Sequence, residues 1–397
     1  MKLARDVVLV DYLRSPFSRS RPKEPTKDLL HEWRMDEVLG MLWKEIVKRN
    51  NLDPKLIDEA IVGTATPVLE QFTYGGKIPT WFADLPFELS AHQIDQQCGS
   101  ALCAVRTGAM SIASGFADVI LCGGIEHMTR VPMGGGGAIK LPEKMINDPH
   151  YKRVDLMFSM NMGFTAQKLQ EMAGFSREDM DKFALRSHKL AAASREWLKG
   201  EILPVEITLE DGTKKMLDYD ASVRGDTTME QLAALKPAYK PDGTITAGNA
   251  SPLNAGATAC LIMSRDKAKQ LGLKPMASFV SFGVAGVDPT IMGAGPVPSS
   301  KKALAYAGMK PDDIDYWEIN EAFAVVTMYC MKELKIPEEK VNIHGGAMAI
   351  GHPLGASGIR LIGTLARILK EKKGKYGLAT MCEGGGQGIA CIIKRED

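Results

Sequence analysis

At 397 residues, 45% of them apolar and 24% charged, the chain is long enough for two or three domains and has ample material for their cores. A formal net charge of +1, with both signs well mixed, excludes a general nucleic-acid or membrane-surface role and leaves any acidic ligand to a local site. No apolar run reaches spanning length, and the seven cysteines, an odd number without Cys-x-x-Cys spacing, point to a reducing compartment, read here as the cytoplasm.

Met1 to Asp6 run directly into the strand-like Val7-Val8-Leu9-Val10, which is read as leaving no room for a cleavable signal peptide. Further strand-like runs at Ala60 to Val62, Val119 to Cys122 and Ala259 to Met263 alternate with helical patterns, the signature of an α/β architecture. Leu52 to Val62 matches Met309 to Ile319: each is a helix stop, a proline and a charged turn entering a strand. Cys98-Gly99-Ser100-Ala101-Leu102 leading to Arg106 is paired with His352-Pro353-Leu354-Gly355-Ala356 leading to Arg360, each expected to open a helix. Val119 to Gly124 is paired with Ala379 to Gly384, each expected to be a strand ending in glycines. The chain thus reads as two copies of one α/β unit whose equivalent loops should meet across a pseudo-twofold interface.

Between the copies, from about Met128 to Leu253, lie the glycine run 134–137, the methionines Met157, Met160 and Met162, and an amphipathic pattern from Ser176 to Leu198 expected to be one helix. This composition suits an inserted cap over a cleft, with the methionines as adaptable apolar lining. The expected division is 1–127 plus 254–276 for the first half, 128–253 for the insertion and 277–397 for the second half.

Five stretches can carry chemistry. Cys98 is placed in the first turn of a helix, where unpaired N–H groups and the helix dipole would lower its pKa, although a small packed cysteine is the alternative. Asn320-Glu321-Ala322-Phe323 follows a strand end and reads either as site residues or as a helix cap. His352 sits among dense glycines and is suited to take a thiol proton; its spacing from His344 matches no usual metal pattern, so no metal is expected. Cys382 precedes the glycines 384–386 and is expected to be more exposed than a core cysteine, hence a candidate acid or base. The small-residue loop Gly243 to Ser251 is either turn chemistry or a bed for a narrow amide-bearing ligand arm.

Taken in order, Arg14-Ser15-Pro16-Phe17, Gly123-Gly124-Ile125-Glu126-His127-Met128, Met162-Gly163-Phe164-Thr165-Ala166, Lys236-Pro237-Ala238-Tyr239, Met292 to Pro298, Asn320-Glu321-Ala322-Phe323, Gly351-His352-Pro353 and the Cys382 loop resemble the thiolase family over essentially the whole chain. The resemblance implies a thiolase fold, with two duplicated mixed-sheet α/β halves in a layered αβαβα arrangement and an inserted loop domain. It implies Cys98 as acyl-accepting nucleophile, His352 as its base and Cys382 as second acid/base. Asn320 with His352 would position a water for one oxyanion hole, and the N–H groups of Cys98 and Gly384 would form the other. Coenzyme A would be a substrate rather than a resident cofactor, with Arg224 near the nucleotide and Met162, Ala247, Ser251 and Phe323 along the rest of the molecule. Ala101, Ala255, Asn161 and Glu383 depart from the family pattern; the last would push the pKa of Cys382 upward.

The expected function is therefore degradative 3-ketoacyl-CoA thiolysis, as in bacterial fatty-acid β-oxidation. An acetoacetyl-CoA thiolase working in condensation is the nearest rival. A non-catalytic acyl-CoA-binding protein is a rival from another class; it would have lost the nucleophile or its base, and both are present. Expected partners are acyl-CoA and CoA, a homodimer or tetramer of the chain itself, and a hydratase/dehydrogenase subunit, with no nucleic acid and no membrane span.

Overall fold

The computed structural model describes residues 4–396; residues 1–3, part of the reading of the N-terminus, lie outside the described residues. In chain order the strands are β1 (Val7–Arg14), β2 (Ser18–Arg19), β3 (Glu59–Gly63), β4 (Ser90–Ile94), β5 (Val119–His127), β6 (Val205–Thr208), β7 (Lys214–Leu217), β8 (Asn254–Ser264), β9 (Ala277–Gly286), β10 (Tyr316–Ile319), β11 (Tyr376–Glu383) and β12 (Gln387–Arg395). All but the β6–β7 hairpin join one ten-stranded sheet in the order β10-β11-β12-β9-β1-β8-β5-β3-β4, with β2 paired to β8.

Within that order one pattern occurs twice. β3 runs parallel to β5, which is antiparallel to β8, itself antiparallel to β1; β10, β11, β12 and β9 repeat these relations in the same sequence. The copies meet where β1 and β9 pair antiparallel, Val8 opposite Ser278 and Leu9 opposite Ala277. Edge strand β4, parallel to β3, has as counterpart only the parallel bridge of Val341 to Trp317.

The longer helices are α1 (Met35–Arg49), α2 (Ser100–Ala113), α3 (Met162–Ala173), α4 (Arg177–Ala193), α5 (Pro296–Ala307), α6 (Ala324–Leu334) and α7 (Ser357–Lys372). Side chains of β5 alternate with the period of two that a strand imposes: Ile120 and Cys122 join the core built on α2 and α7, while Val119 and Leu121 join the core under α1. Both faces of the sheet are therefore covered, which is why its strands read as continuous apolar runs rather than alternating ones. α5 and α6 cover the outer face of the second half through Ala303, Leu304 and Cys330. The layers are α1, first half-sheet, α2 with α7, second half-sheet, and α5 with α6.

α7 presents Ile359, Ile362, Leu365, Ala366 and Leu369 to the central layer at helical spacing and carries Lys370 and Lys372 in its last turn, where the dipole favours cations. It approaches α2 through Gly358, where a Cβ would lie 2.4 Å from the backbone nitrogen of Leu102. No helix among the described residues is long and apolar enough to cross a membrane.

Three local expectations are corrected. Counting back two residues from the helix starts Ser100 and Ser357 makes Gly355, not His352, the counterpart of Cys98; His352 lies ahead of the turn Leu354–Ala356 and opens no helix. Gly123 and Gly124 are inside β5 rather than at its end, because neighbours crowd them: a Cβ on Gly123 would meet Leu39, and one on Gly124 the carbonyl of Gly355. The helix expected from Ser176 to Leu198 is two, α4 and Arg195–Lys199, broken at Ser194, whose hydroxyl hydrogen-bonds the His344 ring at 2.7 Å instead of continuing the helical pattern.

The segment between β5 and β8 leaves the sheet and returns beside its point of departure, His127 being opposite Ala255. It is fastened to β1 by Arg14, whose fully buried guanidinium donates to Glu201 at 2.7 Å and to both oxygens of Asp220 at 2.6 and 2.8 Å. Such a bidentate pair is directional as well as strong, and it fixes the insertion over the sheet.

Candidate active site

Cys98 sits in a 3-10 turn, Gln97–Gly99, immediately ahead of α2, so the expected first-turn placement is corrected to a position two residues before the helix. Short polar side chains build that turn. Asp95 accepts from the backbone N–H of Gln97 at 2.8 Å, and the Ser100 hydroxyl accepts from Gln96 N–H at 2.9 Å while donating to the Gln97 carbonyl at 2.6 Å. Gln97 is held at φ +49°, a left-handed conformation that costs a non-glycine residue about 1 kcal/mol or more and recurs at functional turns.

The lowered thiol pKa expected from the helix end is overturned by burial. Cys98 is 6% exposed, and loss of hydration pushes its thiol up to about 12, although the N–H of Gly384, hydrogen-bonded to the sulfur, pulls the other way. At rest, position 98 holds a thiol.

His352 is fixed from three sides. Its backbone N–H donates to the Asn254 side chain at 2.8 Å, its Nδ1 lies 2.6 Å from the Ser357 hydroxyl, and its Nε2 lies 3.2 Å from Asn320 Nδ2. Ser357 spends its hydroxyl proton on the Pro353 carbonyl, 2.9 Å away, so its oxygen accepts from His352 and the ring proton belongs on Nδ1. Nε2 is left as a lone pair, accepting from the Asn320 amide. Burial, reinforced by the charge of Arg360, lowers the imidazole pKa to about 3, so the ring is neutral. Asn320 is no helix cap; α6 begins at Ala324 with Phe323 ahead of it. The neighbouring Glu321 turns the other way, accepting from Ser187 of α4 at 2.6 Å and from Asn342 at 2.8 Å.

Cys382, expected to be exposed, is fully buried, because it is the penultimate residue of β11 and is paired across to Gly388. Burial raises its thiol pKa well above the ordinary range; the neighbouring Cys98 and then Glu383 add to the rise, the last in the direction expected from the sequence. The glycines after β11 bring the Gly384 N–H to Cys98, so the end of the second half meets the Gln97–Gly99 turn of the first.

Cys98, His352, Met162, Ser251 and Phe323 line one cavity of about 400 Å³. Five further methionines, Met128, Met133, Met157, Met160 and Met292, add to its apolar wall. Arg224, Ala247 and Ser251 line a second cavity of about 420 Å³, together with Arg19, Arg21 and Lys27. Tyr239, Ser251, Pro252 and Leu253 belong to both, so a cation-lined mouth adjoins an apolar chamber holding a thiol and an imidazole. Of the other expected site residues, Asn320 joins the chamber through its hydrogen bond to His352 and Gly384 through its N–H on Cys98, while Cys382 is buried behind Cys98 and lines neither cavity. Missed were Arg19, Arg21 and Lys27; the basic density of Arg19-Ser20-Arg21 just after Arg14-Ser15-Pro16-Phe17 was the available signal.

This duplicated, layered fold with its divided cleft has known counterparts. Models described as thiolase, N-terminal domain, and thiolase, C-terminal domain, match residues 7–266 and 273–395, and the chain belongs to the thiolase family. Its relatives include a protein named 3-ketoacyl-CoA thiolase from Marinobacter nauticus, 42% identical over 98% of each chain. Crystal structures of human mitochondrial 3-ketoacyl-CoA thiolase, one of them in complex with CoA, superpose with a TM-score of 0.87 at 33% identity over 100% of both chains.

Proposed function

We propose that this protein is an acyltransferase that cleaves 3-ketoacyl-CoA with CoA, giving acetyl-CoA and a shortened acyl-CoA through an acyl thioester on Cys98. The reading is carried by one juxtaposition: Cys98 and His352 face an apolar chamber whose wall is shared with a cation-lined cavity, a fit to a molecule with phosphates at one end and a thioester at the other.

The Cys98 proton passes to His352 Nε2, and the sulfur attacks the 3-keto carbon. As the tetrahedral oxyanion collapses, the bond between C2 and C3 breaks, and the electron pair leaves as the enolate of acetyl-CoA, protonated at C2 by the Cys382 thiol. The N–H groups of Cys98 and Gly384 serve the first oxyanion, while the Nε2–H just formed, with a water positioned by Asn320, serves the enolate oxygen. Each such donor is worth roughly 3 kcal/mol of barrier. Incoming CoA gives its thiol proton to the Cys382 thiolate and attacks the acyl thioester, and His352 returns its proton to Cys98. Two neutral resting thiols suit this scheme, since each ionises only when substrate is present.

Phosphates of CoA fit against Arg19, Arg21 and Arg224, and the methionine wall fits an acyl chain longer than acetoacetyl. We further infer a cytoplasmic enzyme of fatty-acid breakdown, consistent with free cysteines throughout the described residues. A homodimer or tetramer is supported by the open edge of β4 beside the exposed Phe72, Tyr74, Trp81 and Phe87. A hydratase/dehydrogenase subunit, which would make the ketoacyl substrate, is a further partner.

Intact-mass measurement with acetyl-CoA should detect one acetyl adduct that disappears in Cys98→Ser. Persistence of the adduct in that variant refutes the nucleophile, and thiolysis fastest with acetoacetyl-CoA in a chain-length series refutes the degradative assignment.

A further inference from the structure

Glu383 ends β11 directly after Cys382 and is fully buried, yet no step of the reaction above uses it. Its Oε2 accepts from Gln96 Nε2 at 3.0 Å, so it is tied to the residue just ahead of the nucleophile turn, which belongs to the other half of the molecule. Its Oε1 has no hydrogen-bond partner among the described residues and rests against Gly99, where a Cβ would come within 1.7 Å of that oxygen. The carboxyl thus fills the space that a side chain next to Cys98 would need.

We propose that Glu383 is a positioning residue which, as a neutral carboxyl, clamps the turn Gln97–Gly99 to β11 and so sets Cys98 against Cys382, and whose ionisation opposes thiolate formation at both. Burial supports this, pushing the carboxyl up to about 8 against the Gln96 hydrogen bond and the Arg106 charge, so that it is protonated at neutral pH. The groups that face it are Gln96, Cys98, Cys103 and Arg106 from the turn and α2, and Cys382 from β11; its negative charge raises all three thiols. Glu126, the other carboxyl that acts on Cys98, accepts from the N–H groups of Ala65 and Gly355 at 2.9 Å each and from Gln71 at 2.6 Å, so it has the full set of partners that Glu383 lacks.

The proposal rests on Cys98 and Cys382 being the reacting thiols, and its test reads Cys98 directly, by the rate of iodoacetamide alkylation followed by peptide mass spectrometry. Wild-type protein and Glu383→Gln should react within about twofold of each other at pH 7, and the variant should be roughly tenfold faster at pH 9.5, the equivalent of one unit in thiol pKa. Glu383→Leu should lower acyl transfer at every pH, with Gln but not Leu restoring the neutral-pH rate. Superimposed pH profiles for wild type and Glu383→Gln, or wild-type transfer by Glu383→Leu, overturn the proposal. Should Glu383→Gln fail to fold, Gln96→Leu decides: losing a hydrogen bond that favours the carboxylate, it should move the alkaline suppression of wild-type alkylation to higher pH, and an unmoved onset overturns the clamp. Failure of the thiolase reading would show separately, as the absence of an acetyl adduct in wild-type protein.

Discussion

Cys98 and His352 are held in their uncharged forms by the same cause, removal from water, which at Cys98 outweighs the N–H groups that favour a thiolate. For His352 this has a stability consequence whose sign is fixed. Its folded pKa, about 3, lies below the ordinary 6.5, so between these values the unfolded chain binds the extra proton. Stability from this residue is complete above pH 6.5 and is lost as pH falls toward 3, at a limiting slope of about 1.4 kcal/mol per pH unit. Urea titrations from pH 7 to 4 should show that slope reduced in His352→Gln; parallel curves would mean the imidazole is not buried neutral. The same burial leaves Nε2 unprotonated and ready to accept, which a charged resting imidazole would not be.

At the scale of elements, the motifs divide into those that face the cleft and those that hold the fold together. Arg14 lines neither cavity; it joins β1 to Glu201 and Asp220 of the insertion. Glu126 accepts from the N–H groups of Ala65 and Gly355, one from each half, and Glu321 ties α4 to the short helix Ala347–Ile350 ahead of His352. Removing one member of a fully buried ion group strands its partners, so Arg14→Met should lower unfolding free energy by about 3–5 kcal/mol. Chemical denaturation measures it, and a change under 1 kcal/mol would show that the insertion is held by apolar packing alone. Asn320 illustrates why helix and strand signals do not assign roles: its place after β10 is equally that of a cap, and only the fold aims its amide at an imidazole 32 residues away.

For the whole molecule, the duplicated sheet brings the end of β11 to the start of α2, and the insertion adds a cationic mouth outside the apolar chamber. Arg19, Arg21 and Arg224 come from segments about two hundred residues apart and crowd together; burial and the charges of Arg21 and Arg224 lower the pKa of Arg19. A polyphosphate ligand relieves that repulsion. The double variant Arg19→Ala, Arg21→Ala should raise KM for CoA roughly tenfold with kcat nearly kept, and the effect should shrink as salt rises. A fall in kcat at unchanged KM would place these arginines outside the phosphate site.

The sequence by itself determined the α/β class and the repeat of Leu52–Val62 in Met309–Ile319, because these depend on residue type, periodicity and local turn chemistry, and it supplied the ordered motifs that carry the resemblance to thiolases. Tertiary structure alone decided the rest. It decided which residue of the second copy answers Cys98, that Cys382 is buried rather than exposed, that both thiols rest protonated, and that Arg19 and Arg21 join Arg224. Burial and electrostatics depend on what distant segments bring to a point in space, and a linear pattern carries no record of the water that folding removes.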